Sequence, residues 1–441
     1  MKLAVIAALL FANSILNLEA ADVSEGVFIN SNQNFLEEAS KNSLWTIDHR
    51  SSKGFEVYGP TGLKNQLRAQ SISFTDLDKE NFFKEKFSDY PSFEDLTQTL
   101  MDIHAAYPDL TELTSAGKTN EGRELWVMQI SKHILDSALL PEVKYISSMH
   151  GNEITGRELM VLLMQDLLAN YGKDEKITSL INNSRIFIIP SMNPDGSSKS
   201  RRGNANNMDL NRNFPDFSTS DNENSLIGRE VETQAIMNFQ SERHFALSAN
   251  FHGGAEVVNY MWDGFKDQHP LHSLLKDISL TYAEKVSYMK NSKEFENGIT
   301  NGFEWYQVNG GMQDWSYFWY GDTQFTIELS EKKWPSYSMI PHYYMENRES
   351  LIQFLQTVHQ GAGVIYLQSE VNGVVNILKD MGPDLDKKNL GAYPLKNSYF
   401  YKVLEPGKYI FVIDRGNDEF DRAEVEIKAG TIYSGGNFVY F

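Results

Sequence analysis

From Ser92 onward the order of apolar and polar positions alternates between two textures. Phe93, Leu96, Leu100, Ile103 and Tyr107 recur at helical spacing, with Ser92 and Asp95 placed as a capping box and Pro108 as the stop. Leu125–Ile130 and Val143–Ile146 then read as strands. A helix is predicted over Ile154–Asn170, apolar around most of its circumference through Leu159, Leu162, Leu163, Leu167 and Leu168, and stopped at Gly172. Arg185–Ile189, Phe245–Phe251 and Phe325–Leu329 are continuous apolar runs of the kind found in a sheet covered on both faces. Helical stripes at Val231–Phe239, Leu271–Val286 and Leu351–Val358 fall around them. Alternation of this kind predicts an α/β fold, a β-sheet with helices on both faces.

The texture changes on either side of that body. After Gly361 come short strands, Val364–Leu367, Val374–Leu378, Tyr399–Val403, Lys408–Ile413 and Ala423–Lys428, separated by turns such as Glu405-Pro406-Gly407, which predicts a small all-β sandwich over 361–441. Before it, residues 21–84 are mixed, with a strand at Gly54–Tyr58 and a helix at Leu63–Leu67, and read as either a packed extension or a removable pro-segment. Lys2, the apolar run Leu3–Phe11 and the small residues Ala20 and Ala21 have the zones of a secretory signal peptide over 1–20, which predicts a secreted or periplasmic protein. No later stretch reaches the roughly 18 to 20 apolar residues of a membrane span.

Composition narrows the chemistry. The 441 residues contain no Cys, which excludes cysteine catalysis and thiolate metal sites and leaves His, Asp and Glu as metal ligands. A formal charge of −19 argues against nucleic acid and anionic lipid as partners and favours cationic ones. Oligomeric state is not legible.

His150-Gly151-Asn152-Glu153, at the junction of a strand and the long helix, has an imidazole and a carboxylate three positions apart on a turn held by Gly151, able to bite one divalent cation. His252 closes another covered strand, and Glu328 lies in a third. Ligands in open α/β sheets bind outside the carboxyl ends of the strands, where such residues converge. His269 and His272 compete as ligands, but capping or solvent exposure at a helix start explains them better. Glu328 also admits a structural reading, as a buried partner of an arginine.

With Asp209-Leu210-Asn211-Arg212-Asn213-Phe214, Gly310-Gly311-Met312-Gln313-Asp314-Trp315 and Thr326-Ile327-Glu328-Leu329, the His150 motif completes a set in one order. Together they resemble the zinc metallocarboxypeptidases, most of all the regulatory branch that includes carboxypeptidases M, N, E and D. The resemblance runs over 85–360, and the tail looks like that branch's transthyretin-like domain. It implies one zinc held by His150, Glu153 and His252 with a water in the open position, and Glu328 as general base. It further implies Asn211 and Arg212 as the clamp for a substrate's terminal carboxylate, and Arg202, with Arg201 the competing register, as the group that stabilises the oxyanion. Tyr306 matches the tyrosine that closes over substrate. Asp263, helped by Gln313, matches the acidic floor that selects Lys or Arg, although Met261 and Trp262 stand where relatives usually carry Pro and Tyr. The expected activity is removal of C-terminal basic residues from peptides or proteins. Zinc hydrolysis of cell-wall peptides containing diaminopimelate, and a non-catalytic peptide-binding module, are the alternatives.

Overall fold

The computed structural model describes residues 22–30, 32–78, 89–134, 139–367, 370–382, 385–429 and 436–441. The expected signal peptide, 1–20, lies outside them.

An eight-stranded mixed sheet organises the body. Its strands are β5 (Thr111–Lys118), β6 (Glu124–Ile130), β7 (Glu142–Ser147), β8 (Arg185–Ile189), β9 (Phe245–His252), β10 (Glu256–Tyr260), β11 (Ile299–Asn301) and β12 (Thr323–Leu329), in the order β11-β10-β12-β9-β7-β8-β6-β5. The four earlier strands, β1 (Glu25–Asn30), β2 (Thr46–Asp48), β3 (Gly54–Gly59) and β4 (Thr75–Asp76), form a separate sheet. Every residue of β9 and β12 is buried, as continuous apolar runs require of central strands. Strands β8, β7, β9 and β12 are parallel, so their carboxyl ends open on one edge, and the register pairs Glu328 directly with His252.

The longer helices are α1 (Gln33–Ala39) and α2 (Leu63–Ala69) beside the first sheet, then α3 (Phe93–Ala106), α4 (Thr155–Asn170), α5 (Glu175–Asn183), α6 (Val231–Ser241), α7 (His272–Ala283), α8 (Met312–Tyr320) and α9 (Ile340–Thr357). Ser92 and Asp95 do form a reciprocal capping box on α3. Helix α9 begins eleven residues before the apolar stripe from Leu351 that signals it, because of the residues before Leu351 only Ile340, Asn347 and Ser350 are buried, with Tyr343 and Tyr344 packed partly against the core. Strands β5 and β10 escape the pattern as well. Half-exposed β5 lies at the sheet edge, and β10 follows β9 after only three residues.

The expected fold class therefore holds, an α/β body followed by all-β structure. From Gly361, β13 (Gly361–Ile365), β16 (Tyr399–Val403) and β19 (Asn437–Tyr440) make one sheet, and β14 (Gly373–Asp380), β15 (Lys388–Leu395), β17 (Gly407–Asp414) and β18 (Phe420–Ile427) the other. Strands β15 and β19 have no counterpart in the sequence pattern, since β15 carries Gly391 and Pro394. This β region shares one apolar core with the body, with Phe400, Tyr401 and Tyr393 in the same cluster as Leu163 and Phe251. Lys402, buried at the junction, donates to the Gly321 carbonyl at 2.7 Å and lies over the rings of Tyr317 and Tyr393. The sheet at residues 25–76 differs. Val27, Ile29, Phe35, Phe55, Val57, Leu63 and Leu67 close a small core of their own.

Helix α4 meets the sheet through Gly156, where a Cβ would fall 2.2 Å from Ser147 Oγ and 2.9 Å from Phe251 Cβ. Both neighbours belong to the strands that carry the site. Overpacking of this kind costs about 1–3 kcal/mol. Gly156→Ala should lower stability by that amount in urea unfolding, and an unchanged midpoint would show that the helix shifts freely.

Candidate active site

Two loops rise from the carboxyl edge of the sheet, one after β7 and one after β8, and lock together. Gly151 N–H donates to the Arg202 carbonyl at 3.1 Å, and Asn193 Nδ2 donates to the carbonyls of Met149 at 3.1 Å and Arg202 at 3.3 Å. A Cβ at position 151 would stand 2.2 Å from the backbone of Gly196, so only glycine allows this approach.

His150, Glu153 and His252 are thereby gathered, all buried. Their ligand atoms face one another: His150 Nδ1 to His252 Nδ1 is 3.1 Å, His252 Nδ1 to Glu153 Oε2 is 2.9 Å and His150 Nδ1 to Glu153 Oε1 is 3.1 Å. Ligands about 2.0–2.1 Å from a tetrahedral zinc are separated by about 3.3 Å. The three residues thus form a possible metal site of the right size and donor type. His150 Nε2 lies 3.0 Å from Asp209 Oδ1, and a carboxylate there accepts the Nε2 proton and leaves the Nδ1 lone pair directed at the site.

Charges around the trio are strongly coupled. Burial by itself would raise the Glu153 carboxyl, but His150, His252 and Lys333 outweigh it and hold Glu153 well below the usual carboxylate range. Asp209, likewise lifted by burial, is pulled far down by Arg202 and His150. Arg202 donates from Nε to Asp209 Oδ2 at 3.0 Å, and its Nη1 is 3.2 Å from His150 Nδ1. Arg201 is exposed, so of that basic pair Arg202 alone points into the site.

Glu328, paired in register with His252, is also buried. His49 Nε2 is 3.6 Å from its Oε1. Asn211 accepts from Met312 N–H through Oδ1 at 3.0 Å, which directs its amide N–H₂ elsewhere. Arg212 donates from Nη1 to the Asn211 carbonyl at 2.9 Å, while its buried Nη2 has no partner among the described residues. Asp263 Oδ1 accepts from Gln313 Nε2 at 2.8 Å and Asn259 Nδ2 at 3.0 Å. Burial pushes Asp263 up to about 7, against the opposing Asn259 hydrogen bond and Arg212 charge. Tyr306 is turned toward β2, its hydroxyl donating to Asp48 Oδ1 at 2.7 Å.

Several residues in this assembly have no signal in the sequence reading. Asp209 opens a recognised motif but shows its contact to His150 only in three dimensions. Asp314, inside another motif, accepts from the backbone N–H groups of Asp263 and Gly264 at 3.0 and 2.8 Å. Lys333, Asp48, His49, Glu56 and Tyr58 arrive from separate segments with no spacing rule to connect them. His269 corrects an expectation: it is buried, its Nδ1 accepts from Leu271 N–H at 2.9 Å and its ring packs on Trp262 and Tyr317. A turn hydrogen bond ahead of α7 and ring packing explain it, and neither helix capping nor solvent exposure does. Asp48, His49 and Glu56 also lie close enough to suggest ligands, but Arg202 and Lys333 already neutralise those carboxylates.

An α/β body with a His, Glu and His trio at its strand ends defines a metallohydrolase of carboxypeptidase architecture. The sequence profile of the zinc carboxypeptidase family matches residues 96–350, and the chain belongs to that family, an enzyme class that uses zinc. Human carboxypeptidase D is 37% identical over 373 residues, covering 79% of this chain and 26% of that protein. Mouse carboxypeptidase M is 35% identical over 359 residues, covering 75% and 79%. The chain therefore spans about a quarter of the length of the carboxypeptidase D relatives and most of carboxypeptidase M. These relatives, with the catalytic chain of rat carboxypeptidase N, match the regulatory branch. In fold, the chain is similar to a carboxypeptidase A from Helicoverpa armigera, with a TM-score of 0.58 at 19% identity over 77% of this chain and 98% of that one.

Asp209→Asn removes the charge that sets the His150 tautomer and anchors Arg202. Loss of such a partner typically costs about 10- to 100-fold in metal affinity. Competition with a chromophoric chelator should show zinc binding weakened by that factor, whereas unchanged affinity would make Asp209 a partner of Arg202 alone.

Proposed function

We propose that this chain is a zinc carboxypeptidase that removes C-terminal Lys or Arg from peptides or proteins, acting after export. The observation that carries the basic preference is Asp263. Its carboxylate is buried and, among the described residues, hydrogen-bonded by the neutral side-chain amides of Gln313 and Asn259, so a cationic side chain reaching it supplies the missing charge. An aliphatic side chain leaves it uncompensated. Arg212, with Nη2 free, offers a planar fork to the terminal carboxylate, and the Asn211 amide offers a second donor.

Zinc bound by His150, Glu153 and His252 would supply Lewis-acid polarisation of the scissile carbonyl and a water of lowered pKa. Glu328, opposite His252, takes the water proton and hands it to the leaving amine. Arg202 stabilises the charge that develops on the carbonyl oxygen, held in place by Asp209. Tyr306 closes over the bound residue once it leaves Asp48. Export rests on Lys2 and the apolar run that follows it; no helix among the described residues is long and apolar enough to cross a membrane.

Matched short peptides ending in Arg, Lys, Leu or Phe test the assignment. Release of Arg and Lys should dominate and stop on zinc removal by chelator; equal release of Leu would defeat the basic preference. Glu328→Gln should lose about 10²- to 10⁴-fold in rate, as removal of a general base does.

Asp263 also sets a pH dependence. Its raised pKa makes the empty pocket neutral below about 7, and a cationic side chain must then displace the proton. KM for Arg-ended peptides should therefore rise as pH falls below 7, by up to about tenfold per unit for one coupled proton. Asp263→Asn should abolish both this dependence and the preference. Because it removes a carboxylate whose ionised form burial destabilises, its thermal midpoint should stay level or rise; a large drop would mean that Asp263 is structural.

A further inference from the structure

The nine residues of α8 run from the proposed specificity pocket to the C-terminal β region. The first turn is fixed to the pocket. Gln313 Nε2 donates to Asp263 Oδ1 at 2.8 Å, Asp314 accepts the N–H groups of Asp263 and Gly264 at 3.0 and 2.8 Å, and Met312 N–H reaches Asn211 Oδ1 at 3.0 Å. About 13 Å further along, by the rise of an α-helix, the chain leaves α8 at Gly321, in the left-handed region at φ 73. There the β region takes hold. Lys402, on β16 and fully buried, donates to the Gly321 carbonyl at 2.7 Å. Tyr393, on β15, closes on the same glycine so tightly that a Cβ at 321 would stand 2.9 Å from its ring.

The flank of the helix repeats the connection. The Lys402 amine lies over the Tyr317 ring at 4.1 Å and over the Tyr393 ring at 4.7 Å. Tyr317 in turn meets Trp262 and His269 edge-on, with ring centres 5.4 and 4.3 Å apart, and Trp262 is the residue before Asp263. Burial pushes the Lys402 amine down to about 7, against the opposing charge of Asp322, and in both of its forms the amine keeps an N–H for Gly321. A methionine of similar length would fill the space but leave the helix-end carbonyl without that donor.

We propose that Lys402 is a positioning residue for substrate recognition: by holding the end of α8, the C-terminal β region keeps Gln313 and Asp314 seated on Asp263 and so fixes the pocket for a basic side chain. This rests on the role proposed above for Asp263. Close-packed interiors transmit strain, so slack at Gly321 is passed along the short helix to the pocket. The strand that follows, β12, is paired on both sides, with β9 and β10, and the same slack does not reach Glu328. Loosening the clamp therefore weakens binding and spares the chemical step.

Lys402→Met removes the donor and keeps the bulk, and Tyr393→Leu removes the ring that closes on Gly321. Val425→Ala, on β18 at the opposite edge of the sheet from β15, is the control for a β region that is merely less stable. Each full-length, zinc-loaded variant is assayed with matched Arg- and Leu-ended peptides, beside its thermal midpoint and backbone hydrogen exchange over 312–320. In at least one of the two clamp variants KM for the Arg peptide should rise about fivefold or more with kcat within about twofold, narrowing the preference for Arg, while Val425→Ala lowers the midpoint and leaves KM in place. Unchanged KM in both clamp variants overturns the inference, and so does a rise that the Leu peptide or Val425→Ala shares in full. Should the wild type release Leu as readily as Arg, the pocket reading fails and exchange decides the clamp: faster exchange over 312–320 in the clamp variants upholds it, and unchanged exchange overturns it.

Discussion

The structure depends on keeping a crowded set of charges in balance away from water. Asp48, Glu56, Glu153, Asp209 and Glu328 converge with two permanent cations, Arg202 and Lys333, and with His49, His150 and His252. An isolated carboxylate in such surroundings would take up a proton. The network instead holds Glu153, Asp209 and Asp48 ionised, each against the effect of burial. Carboxylates outnumber permanent cations, which suits the patch to a divalent metal and to a chain's own cationic groups alike. Removing any single member leaves a partner uncompensated, which is why the loops that carry them are also fastened by backbone hydrogen bonds.

The sheet makes that concentration possible. Parallel β7, β9 and β12 end on one edge, so residues nearly two hundred positions apart meet there without long excursions of the chain. Close packing against glycine, at Gly151 between loops and at Gly156 between helix and sheet, removes the slack that would let the ligands drift. The residues proposed above for specificity stand apart. Asp263 and Gln313 sit beyond β10 and at the start of α8, joined by the hydrogen bonds that clasp the Asp209–Asp216 loop to Gly310 and Met312. The residues proposed for hydrolysis and those proposed for recognition are thus carried on different elements.

The two flanking units differ in how they share apolar surface with the body. The C-terminal strands continue the main core, and Lys402 ties them to Gly321. The N-terminal sheet closes its own core and meets the body through Asp48, His49, Glu56 and Arg50. A contact surface of that kind favours exchange between docked and undocked states, whereas a shared core does not.

Local pattern made most of the body legible. The covered strands, the capped helix α3, the long α4 and the His150 and Glu153 pair follow from periodicity, caps and motif spacing, because those signals are written over a few consecutive residues; His252 joined them only through the family resemblance. Half-exposed β5, the outward half of α9, and β15 and β19 were not legible for the same reason, since their hydrophobic periodicity is weak or interrupted. The sequence by itself determined the fold class and the residue types gathered for zinc and peptide chemistry. Only the tertiary structure decided that Asp209 orients His150, that Arg202 and not Arg201 faces the site, that Asp314 braces Asp263, and that Asp48 and His49 lie against Arg202 and Glu328. Such pairings join charges across tens to hundreds of residues, and their energy comes from burial together, which no spacing along the chain records.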